Sequence, residues 1–152
     1  MSAGVIMPVA EKSLFERRLI TALCYAGTLP MLGCLLLIES SWALPLLTTY
    51  SLSILAFVAG NWWSTALMLR KITARQRQGI LLMSNAIVIA AVVGVAFMGI
   101  RALLVLALLF GLLLLGEHLL ATFQPQPDYY RNMRIGVTTL VIALLLSAYL
   151  LS

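Results

Sequence analysis

The chain has 152 residues, about one domain's worth, yet 62% are apolar and 10% charged, against about 45–50% and 25% in soluble globular proteins, which excludes an ordinary soluble domain. A formal charge of +5 does not indicate a nucleic-acid binder, because the basic residues flank apolar runs instead of clustering among exposed aromatics. Flanking positions are where basic residues sit in cytoplasmic loops of membrane proteins.

Residues 1–10, with Pro8, read as a frayed tail. Residues 11–18 read either as a short amphipathic surface helix with Leu14 and Phe15 inward, or as a charged lead-in to the first span, which is the preferred reading. No cleavable signal peptide is expected, since the apolar run that follows Arg18 is too long for a signal core and lacks a small-x-small exit.

A first membrane span is expected over residues 19–38, with Pro30 near its centre kinking the helix and Gly27 and Gly33 allowing close approach of a neighbour. Cys24 and Cys34 lie on it ten residues apart, about 15 Å of helical rise, too far for a disulfide and without acidic or His partners for a metal. They read as small packing residues. Glu39, Ser40, Ser41 and Trp42 mark the exit.

The second span, residues 43–69, is longer than the hydrocarbon core and should tilt or lay a first turn in the interface. Its middle carries Gly60, Asn61, Trp62 and Trp63. The Asn61 amide is costly in hydrocarbon and should face other helices. The two indoles point about 100° apart, so one should be packed and the other interfacial or lipid-facing. The exit, residues 70–77, is the most basic segment of the chain.

Residues 79–121 form a run of 43, about 65 Å as one helix and twice the thickness of the core, so the chain must turn. Gly99-Ile100-Arg101 is the only break, which gives spans over 79–98 and 102–121. A loop with Pro125 and Pro127 precedes a fifth span over 133–151. The fold class expected is all-α, an integral membrane helical bundle of about five transmembrane helices forming a single transmembrane domain over residues 1–152. With the N-terminus inside, nine of the 10 basic residues fall on inner segments and Arg101 alone outside, so the positive-inside rule predicts a cytoplasmic N-terminus and an external C-terminus.

That threading assigns each polar residue a depth. Tyr25, Asn61, Asn85, Glu117, His118, Thr138 and Thr139 all fall in the inner half of the membrane, several about 8–9 Å in. One reading is a polar cavity or small-molecule site open to the cytoplasm, with Glu117 and His118 as titratable members. The other is structural: adjacent residues on a helix point about 100° apart, side chains near a helix end reach the interface, and asparagines hold membrane helices together without chemistry.

No catalytic set is present. There is one His, and neither H-E-x-x-H, G-x-S-x-G nor a Gly-rich phosphate loop occurs. No enzymatic activity, cofactor or metal is expected, although one His leaves open a haem shared at an interface.

Three segments together resemble a membrane-protein family, domain-of-unknown-function family 3429, whose eukaryotic relatives include mitochondrial transmembrane protein sixty-nine. Tyr25-Ala-Gly27-Thr-Leu-Pro30 resembles its Y-x-G-x-x-P, residues 56–67 its S-F-x-G-G-x-H-W-G-x-A-L, and Tyr129-Tyr130-Arg131-Asn132-Met133-Arg134 its W-Y-x-x-L-R. Trp62 stands where relatives have His and Ser64 where they have Gly, which weakens any reading that gives the imidazole essential chemistry. The resemblance implies about five spans in a bacterial inner membrane, or alternatively a mitochondrial one, and no particular activity.

The function expected is a small non-enzymatic inner-membrane accessory: an assembly factor, scaffold or subunit packing with other membrane proteins or with itself. Gly27, Gly33, Gly60, Gly94, Gly111 and Gly116 would supply faces for helix association. The alternative is a small transporter or channel, as one chain or as an oligomer, for a proton, ion or small solute that uses the polar layer near the cytoplasmic side. The partners expected are the lipid bilayer and membrane proteins, and no nucleic acid.

Overall fold

The computed structural model describes residues 14–68, 72–120 and 128–152. Within them the chain forms α1 (Leu14–Ala26), α2 (Leu29–Leu36), α3 (Ala43–Met68), α4 (Ala74–Phe97), a 3-10 turn (Gly99–Arg101), α5 (Ala102–Leu119) and α6 (Asp128–Leu151). Five stretches are long and apolar enough to cross a bilayer: Glu16–Leu36, Ala43–Met68, Ala74–Phe97, Gly99–Leu119 and Asp128–Leu151. This is the all-α membrane bundle expected, with boundaries shifted by a few residues. The tail, and parts of the charged lead-in, the basic loop and the proline-containing loop, lie outside the described residues.

The first span is two helices, not one kinked helix. Pro30 sits in the first turn of α2, where its missing N–H costs nothing, whereas within one continuous helix its ring would meet the carbonyl of Ala26. The break is closed locally. Gly27 N donates to Leu23 O at 3.0 Å and Thr28 N to Tyr25 O at 2.9 Å, while Thr28 Oγ1 donates to the same Tyr25 carbonyl at 2.7 Å. From α3, the Tyr50 hydroxyl donates to Gly27 O at 2.8 Å.

Two other helix starts follow from local chemistry. Thr73 caps α4: its hydroxyl accepts from Gln76 N at 3.2 Å, and Gln76 Oε1 accepts from Thr73 N at 3.0 Å, a reciprocal capping box. At the expected hairpin between α4 and α5, Gly99 adopts φ +53°, a left-handed conformation that side chains disfavour.

The packing runs α2 and α4 against α3, α5 against α3, α4 and α6, and α6 also against α1 and α2. Leu47, Leu55, Trp62, Leu103, Leu106, Leu113 and Leu145 form its buried centre. Two of the glycines expected at helix contacts are at close contacts within the chain. A Cβ on Gly94 would come within 2.9 Å of Val105 Cγ1, and one on Gly116 would collide with the Trp62 ring. Gly33 and Gly60 have nothing within 4 Å, so they seat no helix of this chain. Up-and-down threading gathers Arg17, Arg77, Arg131 and Arg134 at one end, here the basic end, with Arg101 at the other. Arg77 Nε donates to Ala66 O at 3.1 Å at the end of α3, and the Arg17 guanidinium lies 5.1 Å from the centre of the Tyr129 ring.

Candidate functional site at the basic end

Glu117 lies in the last turn of α5 and Arg134 in the second turn of α6. The helices run antiparallel and pack closely, so the two residues meet at one height. Arg134 Nη2 donates to Glu117 Oε1 at 2.6 Å and Nε to Oε2 at 3.2 Å, the forked geometry that a guanidinium offers a carboxylate. The side chains are only 13% and 10% exposed. Each charge stands at the unfavourable end of its own helix, the carboxylate near a C-terminus and the cation near an N-terminus, so pairing offsets both dipole terms. From α3, Trp62 Nε1 donates to Glu117 Oε1 at 3.3 Å. Gly116 makes this possible by leaving room for the indole beside Glu117.

The seven residues expected to form a polar layer are not gathered into one site. Glu117 holds the ion pair. Tyr25 is exposed, with its hydroxyl against Gly136 of α6. Asn61 is also exposed, and its carboxamide forms no hydrogen bond among the described residues; only its carbonyl is used, accepting from Ser64 and Thr65 at 3.0 Å each. Asn85, exposed on α4, donates to Leu81 O of its own helix at 2.9 Å. His118 Nδ1 lies 2.9 Å from Leu114 O, one turn back. Thr138 is buried and Thr139 exposed. Depth counting fixes height along the membrane normal, but not direction around each helix, and the seven side chains point to several faces.

Trp62 is the packed indole, 0% exposed, and Trp63 the outer one, 42% exposed. Sequence reading places Arg134 on an inner segment and at the end of the third resemblance segment, and misses its role as the partner of Glu117. The signal was available: both residues are within two turns of the same loop on consecutive spans.

A cavity of about 280 Å³ opens between α1, the α1–α2 break, α3 and α6. Thr28, Tyr50, Asn61, Tyr130 and Arg134 supply polar groups along a wall otherwise formed by residues such as Leu23, Ile54, Val137 and Val141. Among these polar residues, Thr28 and Tyr50 carry no signal in sequence that separates them from packing residues, and Tyr130 is marked only by the third resemblance segment. Among the described residues, no three His, Cys, Asp or Glu side chains come together as a metal site would require, and both cysteines are free thiols, Cys34 buried and Cys24 on the cavity wall.

Five apolar spans, with an ion pair tying the end of α5 to the start of α6, define a multi-pass α-helical membrane protein. The chain belongs to the family described as a protein of unknown function, DUF3429, whose model matches residues 17–150. No curated protein and no solved structure matches the chain.

Proposed function

We propose that this protein is a non-enzymatic accessory of a bacterial inner membrane, an assembly factor, scaffold or subunit that packs with other membrane proteins, with its basic end in the cytoplasm. The observation that carries this reading is that the one acidic side chain of the span α5 is committed to internal partners, and that several span hydroxyls are bonded within their own helices. Glu117 is held by Arg134 and Trp62, while Thr48, Ser51 and Ser84 each donate to carbonyls of their own helices. Opening the forked ion pair would strand a cation in low dielectric, so the carboxylate is committed to holding α5 against α6. Hydroxyls of Thr48, Ser51 and Ser84 turned back on their own helices are spent there and line no path for a solute. Lipid- or partner-facing apolar residues, among them Phe57, Leu82, Ile89 and Phe97, leave ample surface for association.

The test is native mass and composition after extraction in mild detergent, with reporter tags on both chain ends. A stoichiometric heteromer with the termini in opposite compartments supports the proposal. A homo-oligomer whose proton flux in liposomes is abolished by Glu117→Gln overturns it in favour of a transporter.

A further inference from the structure

The cavity between α1, α3 and α6 is chemically lopsided. At the α1–α2 break its polar groups are already satisfied, since Tyr50 donates to Gly27 O at 2.8 Å and Thr28 to Tyr25 O at 2.7 Å. Towards the basic end they are not. The Asn61 carboxamide is without a hydrogen bond among the described residues, and Arg134 commits Nε and Nη2 to Glu117, leaving Nη1 outside that pairing. Tyr130 stands one helical turn before Arg134 on the same wall. Between the two ends the lining is aliphatic, with Ile54 on α3 and Val137 and Val141 on α6.

An open amide at the depth of a membrane-spanning helix costs free energy unless something pairs with it. The groups left over are mainly donors: the Asn61 NH₂, the remaining guanidinium N–H bonds and a phenol. They favour acceptor oxygens over an ammonium, for which the Asn61 Oδ1 and the Tyr130 oxygen are the acceptors left over beside a guanidinium. At about 280 Å³ the space lies near the lower limit of small-molecule sites, roughly 300–1,000 Å³, and fits one alkyl chain with a compact head better than a two-chain phospholipid.

We propose that this cavity binds a single-chain fatty carboxylate, its head against Asn61 and Arg134 and its chain running past Ile54 and Val137 towards Tyr50. The site is independent of whether the protein also has a protein partner, because its lining comes from α1, α3, α6 and the α1–α2 break of one chain.

The experiment is native mass spectrometry of the full chain in dodecyl maltoside with three probes of equal chain length: oleate, oleyl alcohol and oleylamine. Oleate is expected to be retained at one per chain, and oleyl alcohol and oleylamine more weakly. Asn61→Leu should lower oleate retention about tenfold, the loss of one good hydrogen bond to a charged head, at an unchanged melting temperature. Val137→Phe and Ile54→Phe fill the cavity from opposite walls, and whichever keeps the wild-type melt should abolish retention. Equal retention of the three probes by the wild type would mean lipid-like contact only and would overturn the proposal. So would unchanged oleate binding in Asn61→Leu or in a natively melting filled variant. The head-group comparison needs no variant, so misfolding of the filled proteins does not leave the question open.

Discussion

Arg134 grips Glu117 through two N–H···O bonds of 2.6 and 3.2 Å, tying the end of α5 to the start of α6 inside the bundle. Removing one partner leaves a nearly buried charge alone, a loss of about 3–5 kcal/mol in comparable pairs, whereas replacing both is often neutral or stabilising. Glu117→Gln keeps an oxygen for the Trp62 N–H but strands Arg134, so it should cost about 3–5 kcal/mol in reversible detergent unfolding. Adding Arg134→Met should recover most of that loss, helped by removing a cation from a helix N-terminus. A double variant as unstable as Glu117→Gln alone would show that the pair does not carry the effect.

Trp62 and Gly116 should behave as a coupled unit. Gly116→Ala places a methyl where the six-membered ring of the indole lies, an overpacking cost of about 1–3 kcal/mol. Trp62→Phe withdraws that ring and also loses the bond to Glu117, about 0.5–1.5 kcal/mol. Combining the two should cost less than their sum, by about 0.5 kcal/mol or more in a double-mutant cycle. Strict additivity would mean that the ring and the glycine are not in close contact.

What sequence could supply here was anything governed by length. Forty-three residues without a charge other than Arg101 and Glu117 must turn, and the turn falls at Gly99–Arg101. The count of five spans and the expectation of one packed and one outer tryptophan rest on the same arithmetic of rise and rotation. Direction around each helix was another matter. The helices α3, α4 and α5 are apolar on nearly every face, so no amphipathic stripe distinguishes inside from outside. Close approach and polar pairing decide it instead, and these depend on neighbours not adjacent in sequence. Asn61 and Asn85, expected to bond between helices, form no side-chain bond to another helix among the described residues, Asn85 bonding only within α4, while Arg134, read as a flanking charge, turns inward.

Gly99 offers a local test. Its φ of +53° costs an ordinary L-residue about 1–2 kcal/mol, and asparagine less. Gly99→Ala should therefore lower stability by about that amount, Gly99→Asn by less and Gly99→Val by more. Melting temperatures in one detergent check the order. If alanine is tolerated better than asparagine, the turn does not depend on a left-handed residue.

Tyr50 and Pro30 are linked through a single carbonyl. A continuous helix would bond Gly27 O to the N–H of Met31, but the break at Gly27 and Thr28 frees that oxygen, and the Tyr50 hydroxyl takes it at 2.8 Å. Tyr50→Phe leaves the acceptor inside the bundle without its donor, so it should cost about 1–3 kcal/mol with the ring packing intact. In a Pro30→Ala background the two short helices can join and Met31 can serve as donor, so the same Tyr50→Phe change should then cost well under 1 kcal/mol. Equal costs in the two backgrounds, read by reversible unfolding, would mean that the hydroxyl does not compensate for the proline.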